Sequence, residues 1–94
     1  MQKTKIDELK YIGPVFYKRF KKYDLITLYD LKKFLSKNDK RTNKMVLTIL
    51  LTNPKANMII QKQVVRPINI NAWNSVISWG RKNGIKTLPG YKKK

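Results

Sequence analysis

The sequence predicts an all-α fold: a small single-domain helical bundle of five or six short helices over residues 1–88, followed by a basic flexible tail at 89–94. Three observations lead there. Apolar residues recur at helical spacing in successive stretches of the chain. Those stretches are bounded by capping residues, glycines and prolines, and no linker of distinct composition divides them. Finally, 94 residues with 41% hydrophobic content suit one modest core.

The elements follow in order. Thr4 with Asp7 fits a capping box and predicts a first helix over Lys5–Tyr11, with Ile6, Leu9 and Ile12 as its apolar stripe. Gly13 breaks that helix. Pro14 then suits the first position of a second helix, where its missing N–H costs little, and this helix runs to about Tyr23 with Val15, Phe16, Phe20 and Tyr23 facing the core. Asp24 takes a left-handed conformation more readily than most residues and ends the helix, and Leu25 and Ile26 plug the junction. Thr27 with Asp30 forms a clearer capping box, starting a third helix over Leu28–Ser36 with Leu28, Leu31, Phe34 and Leu35 at core spacing. Lys37-Asn38 reads as loop. Asp39 caps a fourth helix to about Thr52, with Val46, Leu47, Ile49, Leu50 and Leu51 apolar.

Asn53-Pro54 reads as a stop and a restart, opening a short fifth helix through Gln61 or Val64. Val64–Ile70 is β-branched and contains Pro67, which predicts extended connection rather than sheet. Asn71 caps a last helix over Ala72–Asn83, whose core face is Trp73, Val76, Ile77 and Gly80, with Gly84 just past its end. The remaining segment packs through Ile85 and Leu88 and then frays. Asp24–Leu28 (DLITL) and Gly84–Leu88 (GIKTL) echo one another, each after a helix with a basic end.

Charge is the second strong signal. Lys and Arg number 22 against 5 Asp and Glu, giving a formal +17. That far exceeds the roughly 2–8 that solubility requires, and it repels itself within a compact chain. A polyanion relieves the repulsion, and nucleic acid, with its dense phosphates and releasable counterions, is the favoured partner, DNA ahead of RNA. A protein partner or self-association is a further option. The chain has neither Cys nor His. This excludes disulfides, thiolate chemistry, Cys/His zinc sites and histidine base catalysis. No apolar run reaches the ~20 residues of a membrane span, and the N-terminus lacks a secretory h-region. The expected setting is intracellular, in association with nucleic acid, or packaged in a virion. The abundance of Lys, Ile and Asn is that of an A+T-rich genome.

Residues 9–31 carry the functional signal. A glycine at the turn lets a phosphate oxygen approach without a Cβ in the way, and a helix N-terminus supplies unpaired N–H groups and positive potential. Gly13 provides the access, and the N–H groups of Val15 and Phe16 open the helix; Pro14 donates nothing. Lys10, Lys18, Arg19, Lys21 and Lys22 surround the turn and add charge-assisted contacts. Lys40, Arg41 and Lys44 extend a basic surface if they lie on the same side. Lys92, Lys93 and Lys94 form a terminal clamp or a solvated end. Tyr11, Tyr17, Tyr29 and Tyr91 are candidates for phosphate hydrogen bonds or interface anchors. Trp73 falls on the core stripe, whereas Trp79 lies off it and serves either the core or a partner.

Leu9, Ile12, Gly13, Pro14, Phe20, Asp24, Leu25, Thr27, Asp30 and Leu31 follow a pattern that resembles helix–hairpin–helix domains. Over residues 9–31 the chain is similar to the C-terminal domain of TfoX-type competence regulators and to the hairpin units of RNA polymerase alpha subunits and repair proteins. Tyr11 stands where such hairpins often carry their first glycine, and Asp24 stands where they carry the glycine after the helix. The resemblance implies a helix–hairpin–helix at residues 5–36 that grips DNA phosphates without reading sequence, or that only packs. An assembly role is the alternative: a virion or ribonucleoprotein component whose positive face docks nucleoprotein or an acidic protein. Asp7, Glu8, Asp24, Asp30 and Asp39 are scattered and make no nuclease metal cluster, and nothing marks one lysine as a Schiff-base nucleophile. The chain is therefore expected to be neither an enzyme nor a cofactor or metal protein.

Overall fold

A computed structural model describes residues 4–52, 58–60, 63–65 and 67–93. The chain is mostly helical. It folds a 3₁₀ turn, Ile6–Glu8, then α1, Pro14–Lys22, α2, Leu28–Lys37, α3, Lys40–Leu50, and α4, Ile70–Lys82. Between α3 and α4 lies an antiparallel hairpin of β1, Met58–Ile60, and β2, Gln63–Val65, pairing Met58 with Val65 and Ile60 with Gln63.

Side-chain caps set three helix starts. Thr27 and Asp30 form a reciprocal capping box at α2. Asp39 accepts from the Thr42 N–H at 2.7 Å at α3, and Asn69 accepts from the Ala72 N–H at 3.1 Å at α4. The α4 cap is thus two residues earlier than the predicted Asn71. Both asparagines can cap, but the Asn69 N–H also donates to Leu51 O at 2.8 Å, which ties that residue to the end of α3.

The helix predicted over Lys5–Tyr11 is reduced to the 3₁₀ turn, and Thr4 does not cap it. Tertiary pairing wins here. Leu28 N donates to Thr4 O, Ile6 N donates to Ile26 O, and Lys5 lies in an antiparallel bridge with Thr27, so the chain enters extended. The fifth helix is also corrected, since Met58–Ile60 and Gln63–Val65 are strands; the proposed restart at Asn53-Pro54 lies outside the described residues. β-branched Ile59, Ile60, Val64 and Val65 suit a pleated backbone better than a helix. Val64 and Val65, expected as unpaired connection, belong to β2. A bridge between Thr52 and Ile68 closes the base of this excursion.

Two helices end alike. After α1, the Asp24 N–H donates to Lys21 O and the Leu25 N–H to Phe20 O, with Asp24 at φ 61°. After α4, the Gly84 N–H donates to Arg81 O and the Ile85 N–H to Gly80 O, with Gly84 at φ 78°. Both are Schellman motifs. Each is followed by a buried pair, Leu25 and Leu28 in the first and Ile85 and Leu88 in the second. The sequence echo is therefore an echo of local structure.

Ile6, Phe20, Leu31, Leu35, Leu47, Leu50, Leu51, Trp73, Val76 and Ile77 are fully buried and form one core. Each such side chain contributes roughly 1.5–3 kcal/mol, against about 1 kcal/mol for a typical cap. Val15, Tyr23 and Ile26, expected to face or plug the core, are instead exposed, as is Ile49 on α3. Gly80 admits the arm after α4: a Cβ there would lie 2.6 Å from Leu88 Cδ1. The segment expected to fray is fastened as far as Lys92. Trp73 Nε1 donates to Gly90 O at 2.9 Å, and Asn74 both donates to Lys92 O and accepts from its N–H.

One buried polar group knits these pieces together. Asn43 Nδ2 donates to Leu35 O at 2.8 Å and to Thr87 O at 2.6 Å, while Thr87 Oγ1 donates to Leu35 O at 2.7 Å. Asn43→Ala leaves the Thr87 carbonyl without this donor and is expected to cost about 2–3 kcal/mol in urea unfolding. Asn43→Asp, which sets an acceptor against two carbonyl oxygens, is expected to cost more. Retained stability in either variant would show that the node is dispensable. At α2, the Thr27 and Ile26 N–H groups and the Thr27 hydroxyl hold the Asp30 carboxyl below the usual carboxylate range, and at α3 the Thr42 hydroxyl and N–H do the same for Asp39. A lowered folded-state pKa stabilises fully above the unfolded value of about 3.9 and is lost as pH falls through the folded value. Asp30→Ala, which removes the carboxylate those N–H groups bond, should therefore cost about 1 kcal/mol at neutral pH, and the deficit relative to the parent should shrink below about pH 4 as the parent's Asp30 protonates. A deficit independent of pH down to pH 2 would refute the assignment.

Candidate nucleic-acid interface

The turn before α1 is built on a conformation its residues do not favour. Tyr11 has φ 69°, a left-handed conformation that costs a bulky residue roughly 1–2 kcal/mol. Gly13 is extended instead, at φ −93° and ψ −172°, and any residue could adopt that backbone. A Cβ on Gly13 would meet nothing within 4 Å, so the approach to the helix from this side is open. Among α1–α4, α1 is the one whose N-terminus no side chain caps. Its first intrahelical bond runs from the Tyr17 N–H to Gly13 O. Val15 and Phe16 thus present N–H groups without an intrahelical acceptor, although the Phe16 ring is buried and Val15 is half-exposed.

The cations predicted for this surface divide into three groups. Lys10 stands beside the turn with its Nζ 5.3 Å from the centroid of the Tyr11 ring. Lys18, Lys21 and Lys22 are exposed on α1, Lys21 lying over the Tyr17 ring at 4.6 Å. Arg19 is otherwise engaged. Its Nη1 donates to Thr52 O at 2.6 Å and to Leu50 O at 3.3 Å, which caps the C-terminal end of α3. Lys40, Arg41 and Lys44 are exposed at the opposite end of α3, roughly 9–15 Å along its axis from Leu50. In the tail, the Lys92 Nζ lies 4.9 Å from the Trp73 ring centroid, and Lys93 is exposed; Lys94 is outside the described residues.

The fold also assembles a feature that spacing did not predict as a unit. A groove of about 620 Å³ opens between the Leu9–Lys10–Tyr11 turn, the polar face of α4 and Tyr91. The α4 wall comprises Asn71, Asn74, Ser75, Ser78, Trp79 and Lys82. Trp79, placed off the core stripe, is half-buried here, and its Nε1 has no hydrogen-bond partner among the described residues. The Arg81 guanidinium lies 4.4 Å from the centroid of the Tyr91 ring. Among the described residues no carboxylate lines this groove. The signal for the α4 wall was present in sequence, because residues 71, 74, 75, 78 and 82 recur at helical spacing opposite the apolar stripe. Tyr17 and Tyr29 do not border it. Among the described residues no three metal-ligating side chains gather, and no helix is long and apolar enough to cross a membrane.

Because Arg19 secures two carbonyls at the end of α3, Arg19→Met should lower stability by about 1–2 kcal/mol in chemical denaturation. An exposed phosphate ligand would instead change stability within about 0.5 kcal/mol. No protein-family model, curated protein or solved structure matches this chain.

Proposed function

We propose that this protein binds nucleic acid through phosphate-backbone contacts without sequence preference, DNA ahead of RNA, and that residues 9–31 act as a helix–hairpin–helix. The observation that carries the proposal is the uncapped N-terminus of α1 behind an unobstructed Gly13, in a chain of net charge +17. The N–H groups of Val15 and Phe16 hold one phosphate, Lys10 adds charge beside it, and Lys18, Lys21 and Lys22 reach neighbouring phosphates. Two backbone angles support the resemblance. Tyr11 and Asp24, standing where helix–hairpin–helix domains carry glycines, both have positive φ.

A second proposal, a structural component that docks nucleoprotein or an acidic partner, draws on Met45 and Ile49. These two apolar side chains lie one turn apart on α3 and are both more than half exposed. Retention by a specific protein after nuclease treatment would favour it.

Neutralising about 6 phosphates gives a slope near −5 for log K against log salt on random duplex DNA, with similar affinity across sequences. A slope shallower than about −2, or no binding at low salt, removes the proposal. Gly13→Val is a clean probe of the turn, because the backbone tolerates a side chain there and the space is empty. It should fold normally and weaken binding about 10-fold, the loss of roughly one charge-assisted hydrogen bond. Unchanged affinity in the folded variant would leave diffuse charge responsible instead of the turn.

A further inference from the structure

We infer that the groove between the Lys10–Tyr11 turn, α4 and Tyr91 holds an unpaired nucleobase of a single-stranded or locally opened nucleic acid. The inference rests on the phosphate-binding proposal and assigns a second, base-directed contact beside it.

Both tyrosines that border the groove are held there by unusual means. Tyr11 occupies a left-handed backbone position that glycine would fill without strain, yet a half-exposed phenol ring stands there. Strain of this kind at a bulky residue points toward a use for the side chain. Tyr91 is also half-exposed, and the chain is hydrogen-bonded on both sides of it: Trp73 Nε1 donates to Gly90 O, and the Asn74 side chain clasps the Lys92 backbone. A terminal segment fastened in this way presents its ring with little freedom left to lose on binding. The Arg81 guanidinium against the Tyr91 ring orders it further.

The chemistry of the lining selects the occupant. Tyr11, Trp79 and Tyr91 offer aromatic surface, which favours a flat π-system over a phosphate alone. Asn71, Ser75 and Ser78 supply amide and hydroxyl groups of the kind that bond base edges. Asn74 is already committed to Lys92 and serves as wall. Lys10 and Lys82 provide charge for the phosphates flanking the base. The volume of about 620 Å³ falls within the usual range for small-ligand sites. Bases inside a duplex are stacked and cannot enter, so the groove responds to unpaired nucleotides.

The test compares a single-stranded oligothymidylate, an oligomer of the same length made of abasic sugar-phosphate units, and free thymidine monophosphate. The base-bearing strand should bind about 5- to 150-fold more tightly than the abasic one, the worth of one stacked base. The variant pair Tyr11→Gly and Tyr91→Ala should erase that advantage while leaving abasic binding within about twofold; Tyr11→Gly also relieves the strained backbone and so favours folding. Equal binding of the two strands by the parent protein overturns the inference and leaves the phosphate proposal intact, a result that needs no variant to fold. Loss of base-bearing and abasic binding together in the variants also overturns it. Free thymidine monophosphate binding as tightly as the strand would make this a mononucleotide site and equally overturn it. Failure of both strands to bind at low salt would remove both proposals together.

Discussion

The buried side-chain amide of Asn43 is the interaction on which the arrangement of this fold depends. Its Nδ2 reaches Leu35 O at the end of α2 and Thr87 O in the arm after α4, while Thr87 itself donates back to Leu35. The ends of two successive helices and an arm 44 residues beyond Asn43 therefore share one hydrogen-bonded node inside an apolar core. Carbonyls there would be costly without a donor, and the two N–H bonds of one amide reach both, with the Thr87 hydroxyl as a second donor to Leu35 O. The orientation of the amide follows from the same demand, since its oxygen turned toward two carbonyls would repel them. The node holds the arm so that Leu88 packs over Gly80 and the chain beyond runs along α4 to Gly90 and Lys92.

Scarcity of acidic residues shapes the rest. With five carboxylates against 22 cations, ion pairing cannot neutralise the surface. Asp30 and Asp39 sit at helix N-termini, and Asp24 takes a left-handed helix end. At the helix starts, negative charge meets the positive end of the dipole and stabilises local structure. Most of the cationic surface is thereby left without a negative neighbour in sequence, which is the condition under which a polyanion gains most by binding.

The proposed phosphate contact and the proposed base groove meet at Lys10 and Tyr11. One side of the turn leads to the free N–H groups of α1, the other to the polar face of α4. The strained φ of Tyr11 bends the chain between these two surfaces.

The mostly helical character, the capping box at Thr27 and Asp30, the cap at Asp39, the start of α1 at Pro14 and the apolar stripe of α4 were legible in the sequence, because each is decided within about one helical turn of backbone. So was the left-handed end at Asp24. Tertiary pairing decided what local preference could not. It drew Thr4–Ile6 into an extended pairing with Ile26–Leu28, moved the α4 cap to Asn69 and bound the expected loose tail through Trp73 and Asn74. It engaged Arg19 with α3 instead of leaving it at the turn. The site divides the same way. Gly13 and the lysines around it belong to one contiguous stretch, and their proximity follows from the chain itself. The groove joins residues 9–11, 71–82 and 91, whose meeting depends on contacts such as Asn43 with Thr87, made across 44 residues of chain. The sequence by itself determined the helices, their caps and the charge; only the tertiary structure decided which side chains became neighbours, because the energy that selects among packings comes from burial and hydrogen bonds between distant segments.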